Sequence, residues 1–408
     1  MNGRRRVAVT GLGVKSPAGN TVETLLERLR EARSTAATVD ELVKNEVPVT
    51  FACTVPEFDL DRYVALRQRR QMDRGTTLAL AAAADAVDGA RLGDLTPERV
   101  GIAVGTGVAG LGATEEVLRR CEHDPARMPA FTVPQIMANS AAARIGMRLG
   151  ARGTALTYAT ACASGATAIG EATLKIRSGE CDVMIAGGVD APVTPMVMAA
   201  FARIGALSGR NDDPEAACRP FDADRDGFVM GEGAAFLVLE DWEHAERRGA
   251  DVLGEVLGYG SNSDAHHIVA PREDGGVAAA CMARAVQDAG LSFADIGHVN
   301  AHGTSTYLND RAEARALASC FAGRCPPVTA PKGVVGHLIG AAGALEAVIS
   351  LGVAAGGLVP PVANFGTSEC ADEIDLVTGA PRRIGSPVAL SNSFAFGGHN
   401  VSLVLRAA

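Results

Sequence analysis

Apolar positions along the chain alternate between short continuous runs and longer stretches with helical spacing. The strand-like runs are Arg5 to Thr10, Val100 to Val104, 154 to 159, Val183 to Ala186, Ala234 to Leu239, Val252 to Leu257, His298 to Ala301, Val388 to Leu390 and Val401 to Leu405. Among the stretches between them, Gly165 to Lys175 carries Ala, Ile and Leu at positions that share one helix face. Such alternation predicts an α/β protein with a mixed or parallel sheet covered by helices. The segment Arg210 to Gly231 is polar and rich in turn formers, so it reads as a long loop; its acids lack EF-hand spacing, and no metal site is expected there.

The chain also resembles itself. Counted from Cys162 and from His337, four positions carry the same residue: Gly165 and Gly340, Ala166 and Ala341, Glu171 and Glu346, Ala172 and Ala347. Two small-residue helices, one per half, predict a duplicated α/β unit with halves at 1–250 and 251–408, although two Ala/Gly-rich helices can also match by chance. In that register His337 sits where Cys162 sits, and the two side chains should face each other.

Composition narrows the classes. A chain of 408 residues, 47% apolar with no compositional break, is long enough for a large core. Its 47 glycines and 4% aromatic content fit closely packed helices and sheets. Nine cysteines without Cys-x-x-Cys spacing argue for a reducing compartment and against a disulfide framework or a zinc cluster. The start, Met-Asn-Gly-Arg-Arg-Arg, is followed by an apolar stretch that Gly11 and Gly13 break, and no segment is expected to reach the length of a membrane span. A soluble, cytoplasmic protein without a membrane partner is the expectation. The net charge of -9, without a long basic run, argues against nucleic acid as a ligand.

Four segments could carry chemistry. Cys162 lies in Thr-Ala-Cys-Ala-Ser-Gly-Ala (160 to 166), where a strand gives way to a helix; it is either a nucleophile whose thiolate the helix N-terminus stabilises, or a buried packing residue. His302 lies in Ala-His-Gly-Thr-Ser-Thr (301 to 306) after a strand, a place where α/β sheets bind ligands and where structural histidines also occur. His337 closes Pro-Lys-Gly-Val-Val-Gly-His (331 to 337). The turn Asn-Ser-Phe-Ala-Phe-Gly-Gly-His-Asn (392 to 400) is either a plain hairpin loop or a presenter of backbone N–H groups to an anion. One thiol and two imidazoles suit acyl transfer to sulfur followed by enolate stabilisation. Thr10-Gly-Leu-Gly-Val-Lys-Ser16 lacks the third glycine of a dinucleotide fingerprint.

Taken together, these segments resemble the elongating β-ketoacyl-acyl-carrier-protein synthases, and most of all the type II ketosynthases of fatty-acid and polyketide assembly. The likeness also includes Val-Thr-Gly-Leu-Gly (9 to 13), Ser-Pro-Ala-Gly-Asn (16 to 20) and Arg-Asp-Gly-Phe-Val-Met-Gly-Glu-Gly (225 to 233). It implies the thiolase fold, two α/β halves in five layers α-β-α-β-α. It implies an acyltransferase with Cys162 as acyl-accepting nucleophile, His302 and His337 on the malonyl thioester, and Lys332 and Glu346 as a supporting charged pair. The backbone N–H groups of Cys162 and Phe396 would form an oxyanion hole, with Phe396 also gating an acyl pocket lined by Val108, Ala138, Ser140, Phe201 and Phe394. Thr304 and Thr306 would bind the phosphopantetheine arm that carries the substrates, and no tightly bound cofactor is implied. The implied partners are acyl carrier protein and either a second copy or a chain-length-factor-like subunit.

Two departures from the family pattern stand out. Ala395 replaces the usual Gly between the phenylalanines, which should stiffen or re-bend that loop. Tyr307 replaces the usual Pro at the expected channel entrance. Val108 and the stretch 138 to 143 are small, which points to a long, rigid or unusual chain of specialised metabolism. For docking an acidic carrier, Arg67, Arg70 and Arg74 fall on one face if helical, with Arg203 and Arg210 as further candidates.

Overall fold

The computed structural model describes residues 4–122, 124–370 and 372–408, so Met1 to Gly3 of the opening basic segment lie outside the described residues. Ten strands make one sheet: β1 (Val7–Lys15), β2 (Val100–Gly105), β3 (Ala155–Tyr158), β4 (Val183–Asp190), β5 (Gly233–Asp241), β6 (Gly254–Ser263), β7 (His298–Asn300), β8 (Val328–Thr329), β9 (Val388–Ala395) and β10 (His399–Ala407). Their order across the sheet is β8-β7-β9-β10-β6-β1-β5-β4-β2-β3. From the centre outward each set of five therefore runs first, fifth, fourth, second, third. Directions repeat as well. The first and fifth strands pair antiparallel, as do the fifth and fourth, whereas the fourth, second and third run parallel. A short pairing of Ala8 with Glu255 and Val9 with Gly254 joins the two sets.

Six helices position the site: α1 (Arg74–Ala90), α2 (Ser140–Leu149), α3 (Ser164–Arg177), α4 (Gly276–Asp288), α5 (Tyr307–Phe321) and α6 (Ala342–Gly356). Helices α3 and α6 pack on each other between the two halves of the sheet, α1 covers β1 and β5 from outside, and α4 covers β6 and β10 with α5 beside it. The result is the layered α-β-α-β-α architecture of a mixed α/β protein. Small residues make the middle layer possible. A Cβ on Gly165 would lie 2.8 Å from the backbone N of Ala344, and one on Gly343 would lie 2.9 Å from that of Ala166.

That reciprocity changes the register of the repeat. Each central helix follows a 3-10 turn, Ala161–Ala163 before α3 and Ile339–Ala341 before α6, and each turn opens on a non-glycine residue of positive φ, Ala161 at 47° and Ile339 at 50°. Cys162 therefore corresponds to Gly340, and the alignment that placed it opposite His337 is displaced by one helical turn. The matching small residues recur at helical spacing along both helices, which is why a shifted register still scores.

Two other expectations change. Strand β1 extends beyond the strand-like run that ends at Thr10 and passes through Gly11 and Gly13; a side chain at either position would collide with the backbone of α1. The stretch Ile339–Gly356 is long and apolar enough to span a membrane, with a mean hydropathy of 1.7 over 18 residues, contrary to the expectation that none would be. It is α6 and its preceding turn, apolar all round because it is the buried middle layer.

Candidate active site

The ends of several elements converge on one cavity of about 300 Å³, lined among others by Cys162, Phe201, Phe228, His302, Thr304, Thr306, His337, Phe394 and Phe396. The three chemistry-bearing residues and both threonines thus line the same cavity. Cys162 sits in the 3-10 turn ahead of α3, His302 just past β7, His337 between the short helix Lys332–Val335 and the turn before α6, and Phe396 in the turn between β9 and β10.

Both imidazoles are buried, and burial holds their pKa values well below the ordinary histidine value, with the Lys332 charge acting in the same direction. They are therefore neutral, and their tautomers follow from their neighbours. The backbone N–H of Ile339 donates to Nδ1 of His337 at 3.3 Å, and the Lys332 ammonium stands 3.3 Å from Nδ1 of His302. Each ring consequently carries its hydrogen on Nε2. The rings meet edge to face with centroids 5.4 Å apart, and Phe228 packs on His337 at 5.0 Å. Lys332 also donates to the carbonyl oxygen of His302 at 2.5 Å and forms a buried ion pair with Glu346, whose carboxyl burial raises to about 7.

Cys162 is 7% exposed, and burial pushes its thiol up to about 12 against the opposing pull of Lys332 and of two backbone N–H groups, those of Phe396 and Cys162 itself. The resting group is a thiol, contrary to the expectation of a thiolate stabilised by the helix N-terminus, because desolvation outweighs the dipole. The same two N–H groups that reach the sulfur are placed to hold an oxyanion on a carbonyl carbon bonded to it.

Three buried carboxylates were missed in the sequence. Glu313 on α5 accepts from the backbone N of His302 and of Gly303, each at 2.8 Å, and Asp310 accepts from the backbone N of Ser305 and Phe221 at 3.1 and 2.7 Å. Asp190 accepts from the turn that holds Gly340. Their signal was present as Glu and Asp on otherwise apolar faces. Thr304 and Thr306 are 2.8 Å apart through their hydroxyls at the cavity wall.

The proposed pocket residues divide. Phe201 and Phe394 line the main cavity; Val108 packs in the apolar cluster with Phe201, Ile339 and Phe396; Ala138 and Ser140 line a separate small cavity beside Asp73 and Asp190. Ala395 has φ -130° and ψ 157°, extended backbone that any residue adopts, and the positive φ values fall on Gly397 and Gly398. The loop is therefore not re-bent by Ala395. Tyr307, 52% exposed, stands at the cavity mouth over the Arg225 guanidinium and accepts a hydrogen bond from Arg311.

The basic triplet does not share a helix face. A short helix, Leu66–Arg69, ends at Arg70, and Asp73 caps a new helix that begins at Arg74. Arg74 is committed to Glu232 at 2.6 Å, and Arg210 donates to the Asp224 carbonyl at 2.6 Å and lies beside Asp226. Arg67, Arg70 and Arg203 remain exposed. Among the described residues no cluster of side chains is arranged to hold a metal ion.

The chain also matches known proteins over its length. Residues 4–245 match the model of the β-ketoacyl synthase N-terminal domain and residues 253–366 that of the β-ketoacyl synthase C-terminal domain. The chain is 39% identical to 3-oxoacyl-[acyl-carrier-protein] synthase 2 of Synechocystis sp., covering 99% of this chain and 98% of that protein. It is 38% identical to the protein of the same name from Vibrio harveyi, over 99% of each. Among solved structures, the ishigamide ketosynthase/chain length factor is 36% identical with a TM-score of 0.91, covering 100% of both chains. A type II PKS acyl-carrier protein in complex with its ketosynthase bound to the hexaketide is similar at 30% identity, with the same TM-score and coverage.

Proposed function

The chain belongs to the β-ketoacyl synthase family and is an acyltransferase of the ketosynthase type, and on that footing we propose a decarboxylative Claisen condensation between an acyl group on Cys162 and malonyl-acyl-carrier protein. The carrying observation is one buried thiol and two neutral, Nε2-protonated imidazoles lining a single cavity.

The reaction proceeds in two halves. Cys162 sulfur attacks the acyl thioester, the N–H groups of Cys162 and Phe396 hold the developing oxyanion, and the thiol proton leaves with the pantetheine sulfur. Malonyl-acyl-carrier protein then enters, with its arm along Thr304 and Thr306. The two Nε2–H groups donate to its thioester carbonyl, the carboxylate departs as carbon dioxide, and the C–C bond electrons become an enolate. The enolate carbon attacks the Cys162 thioester, releasing the β-ketoacyl product and a sulfur that takes up one proton from solvent. No resident cofactor is needed, since the substrates arrive on the phosphopantetheine arm.

A non-catalytic chain-length-factor-like role is disfavoured because Cys162, His302 and His337 are all retained. Degradative thiolase chemistry is disfavoured because the turn from Phe396 to Asn400 supplies no second cysteine. The chain carried is long, rigid or unusual, as in specialised polyketide or polyene assembly; the small Val108 in the apolar cluster beside Phe201 and Phe396 supports this, Ala138 and Ser140 lie outside the main cavity and do not, and a preference for short saturated primers would overturn it. A second subunit, identical or chain-length-factor-like, docks along the outer edge of β3, the last strand of the sheet, where Leu156 is 41% exposed. The acidic carrier meets the exposed Arg67, Arg70 and Arg203.

The test is turnover with acyl- and malonyl-acyl-carrier protein, with and without a candidate partner subunit. β-Ketoacyl-carrier protein with equimolar carbon dioxide supports the reading, and no product in either case overturns it.

A further inference from the structure

Asp190 ends β4 and is 2% exposed. Four donors rather than a cation hold its carboxylate. Oδ1 accepts from the Thr106 hydroxyl at 2.7 Å and the backbone N of Val108 at 3.1 Å, and Oδ2 accepts from the backbone N of Gly107 and of Gly340, both at 2.7 Å. These contacts reach both sides of the cavity. On one side the single Ser164 hydroxyl hydrogen is shared between the Ala161 carbonyl at 2.7 Å and the Thr106 carbonyl at 3.1 Å, and the Ser164 hydroxyl oxygen accepts from the backbone N of Thr160 at 2.9 Å. Ala161 and Thr160 immediately precede Cys162. On the other side, Gly340 follows Ile339, whose N–H sets the tautomer of His337.

We propose that Asp190 is a positioning residue that registers the Cys162 turn against the His337 segment, with Thr106 and Ser164 as its link to the cysteine. This rests on the condensing-enzyme reading. Ala161 and Ile339, both held at positive φ, are the two positions where the register is stored. Such backbone persists only where its surroundings over-determine it, and this network does so at both turns at once. The junction leaves no slack: a Cβ on Gly340 would lie 2.6 Å from Asp190 Oδ2, and one on Gly107 would lie 2.6 Å from Ile339. A carboxylate suits the place because an amide would turn a donor toward other donors. Its buried charge also disfavours the Cys162 thiolate, so the residue that aligns the thiol helps to keep it protonated.

Three variants separate this role from simple support of the fold. Asp190→Ala, Asp190→Asn and Thr106→Val are compared in acylation of Cys162 by acyl carrier protein and, in a Cys162→Ala background, in decarboxylation of malonyl-acyl-carrier protein. Alkylation of Cys162 by iodoacetamide across pH needs no substrate and is read in the same variants. Thr106→Val should slow acylation at least fivefold and leave decarboxylation within twofold, whereas Asp190→Ala should slow both at least tenfold. Asp190→Asn should move the alkylation profile to lower pH, and Thr106→Val should not. Equal losses in both half-reactions that follow the fall in Tm, or full activity of Asp190→Ala, overturn the proposal. A wild type that neither acylates nor decarboxylates defeats the functional reading, while the alkylation profiles still decide whether Asp190 acts on Cys162.

Discussion

Lys332 lies behind His302, with its ammonium 3.3 Å from the ring Nδ1 and 2.5 Å from the carbonyl oxygen of the same residue. An ammonium can only donate, so this contact assigns the ring hydrogen to Nε2, on the side that faces substrate. Replacing Lys332 by Met should lower malonyl decarboxylation about 10²-fold and leave Cys162 acylation within a few fold. It also strands Glu346 in the core, at a cost of about 3–5 kcal/mol. Because Glu346 can neutralise by taking a proton, the loss of stability should be smaller at pH 6 than at pH 8. The double variant Lys332→Met with Glu346→Gln should regain stability and not activity; urea melts and decarboxylation assays check both.

In the proposed mechanism His337→Ala removes one Nε2–H donor from the thioester carbonyl. Condensation should fall about 10²–10³-fold, as expected for loss of a preorganised donor. Burst formation of acyl-Cys162 should persist, which intact-protein mass spectrometry after a single addition of acyl carrier protein reads directly.

The buried titratable groups predict an unusual pH-stability profile. Burial lowers His298 to about 4 and puts His302 and His337 well below their ordinary value, so the unfolded chain binds more protons below about pH 6.5. Each histidine then costs about 1.4 kcal/mol of stability per pH unit as pH falls. Asp190, raised to about 6, and Glu313 and Glu346, each raised to about 7, act oppositely, since the folded state binds their protons first. With Asp310, which burial also raises, these carboxylates offset the histidines between about pH 6.5 and 4.5. Below that window the histidines are joined by the paired carboxylates Asp182, Glu240, Glu255 and Asp288, which are held below their ordinary range and lose their pairing as they protonate. Urea midpoints should stay nearly level across that window and drop steeply under it; a steady decline from pH 7 contradicts the assignment.

Ala395 occupies extended backbone, so Ala395→Gly relieves no strain. The variant should lose about 0.4–1 kcal/mol through a freer unfolded chain and keep condensation within twofold. A large rise in turnover would show that the alanine does restrain the loop.

Arg74 is tied to Glu232, whereas Arg203 is exposed and has no ion-pair partner among the described residues. Arg203→Ala should raise KM for the carrier protein severalfold with kcat unchanged and with the effect weaker in high salt. Arg74→Ala should lower Tm and leave KM alone, as steady-state kinetics and thermal melts would show.

Much of this was readable in the chain. Each of the nine strand-like runs overlaps a strand, because buried strands need continuous apolar residues whatever surrounds them, although the bounds differ by one or two residues at several ends. Cys162, His302 and His337 could be named because each lies in a Gly-rich or hydroxyl-rich segment at an element end. Partners distant in sequence stayed hidden. The apolar surroundings of Asp190 and Glu313 hint that both are buried, but nothing local names their partners, Gly340 at 150 positions from Asp190 and the His302 backbone for Glu313. The short strand β8 was also missed, since two residues carry no periodicity. The repeat was visible but its register was not, because identical small residues match at more than one helical offset. The protonation of Cys162 depended on burial, which no motif encodes.

The most direct test is intact-protein mass spectrometry of the wild type and Cys162→Ala, each given acyl carrier protein and then malonyl-acyl-carrier protein. The wild type should gain one acyl mass on the Cys162 peptide and lose it as β-ketoacyl-carrier protein appears, while Cys162→Ala gains no mass and yields no condensed product. An acyl adduct on another residue, or condensation by Cys162→Ala, would contradict the account.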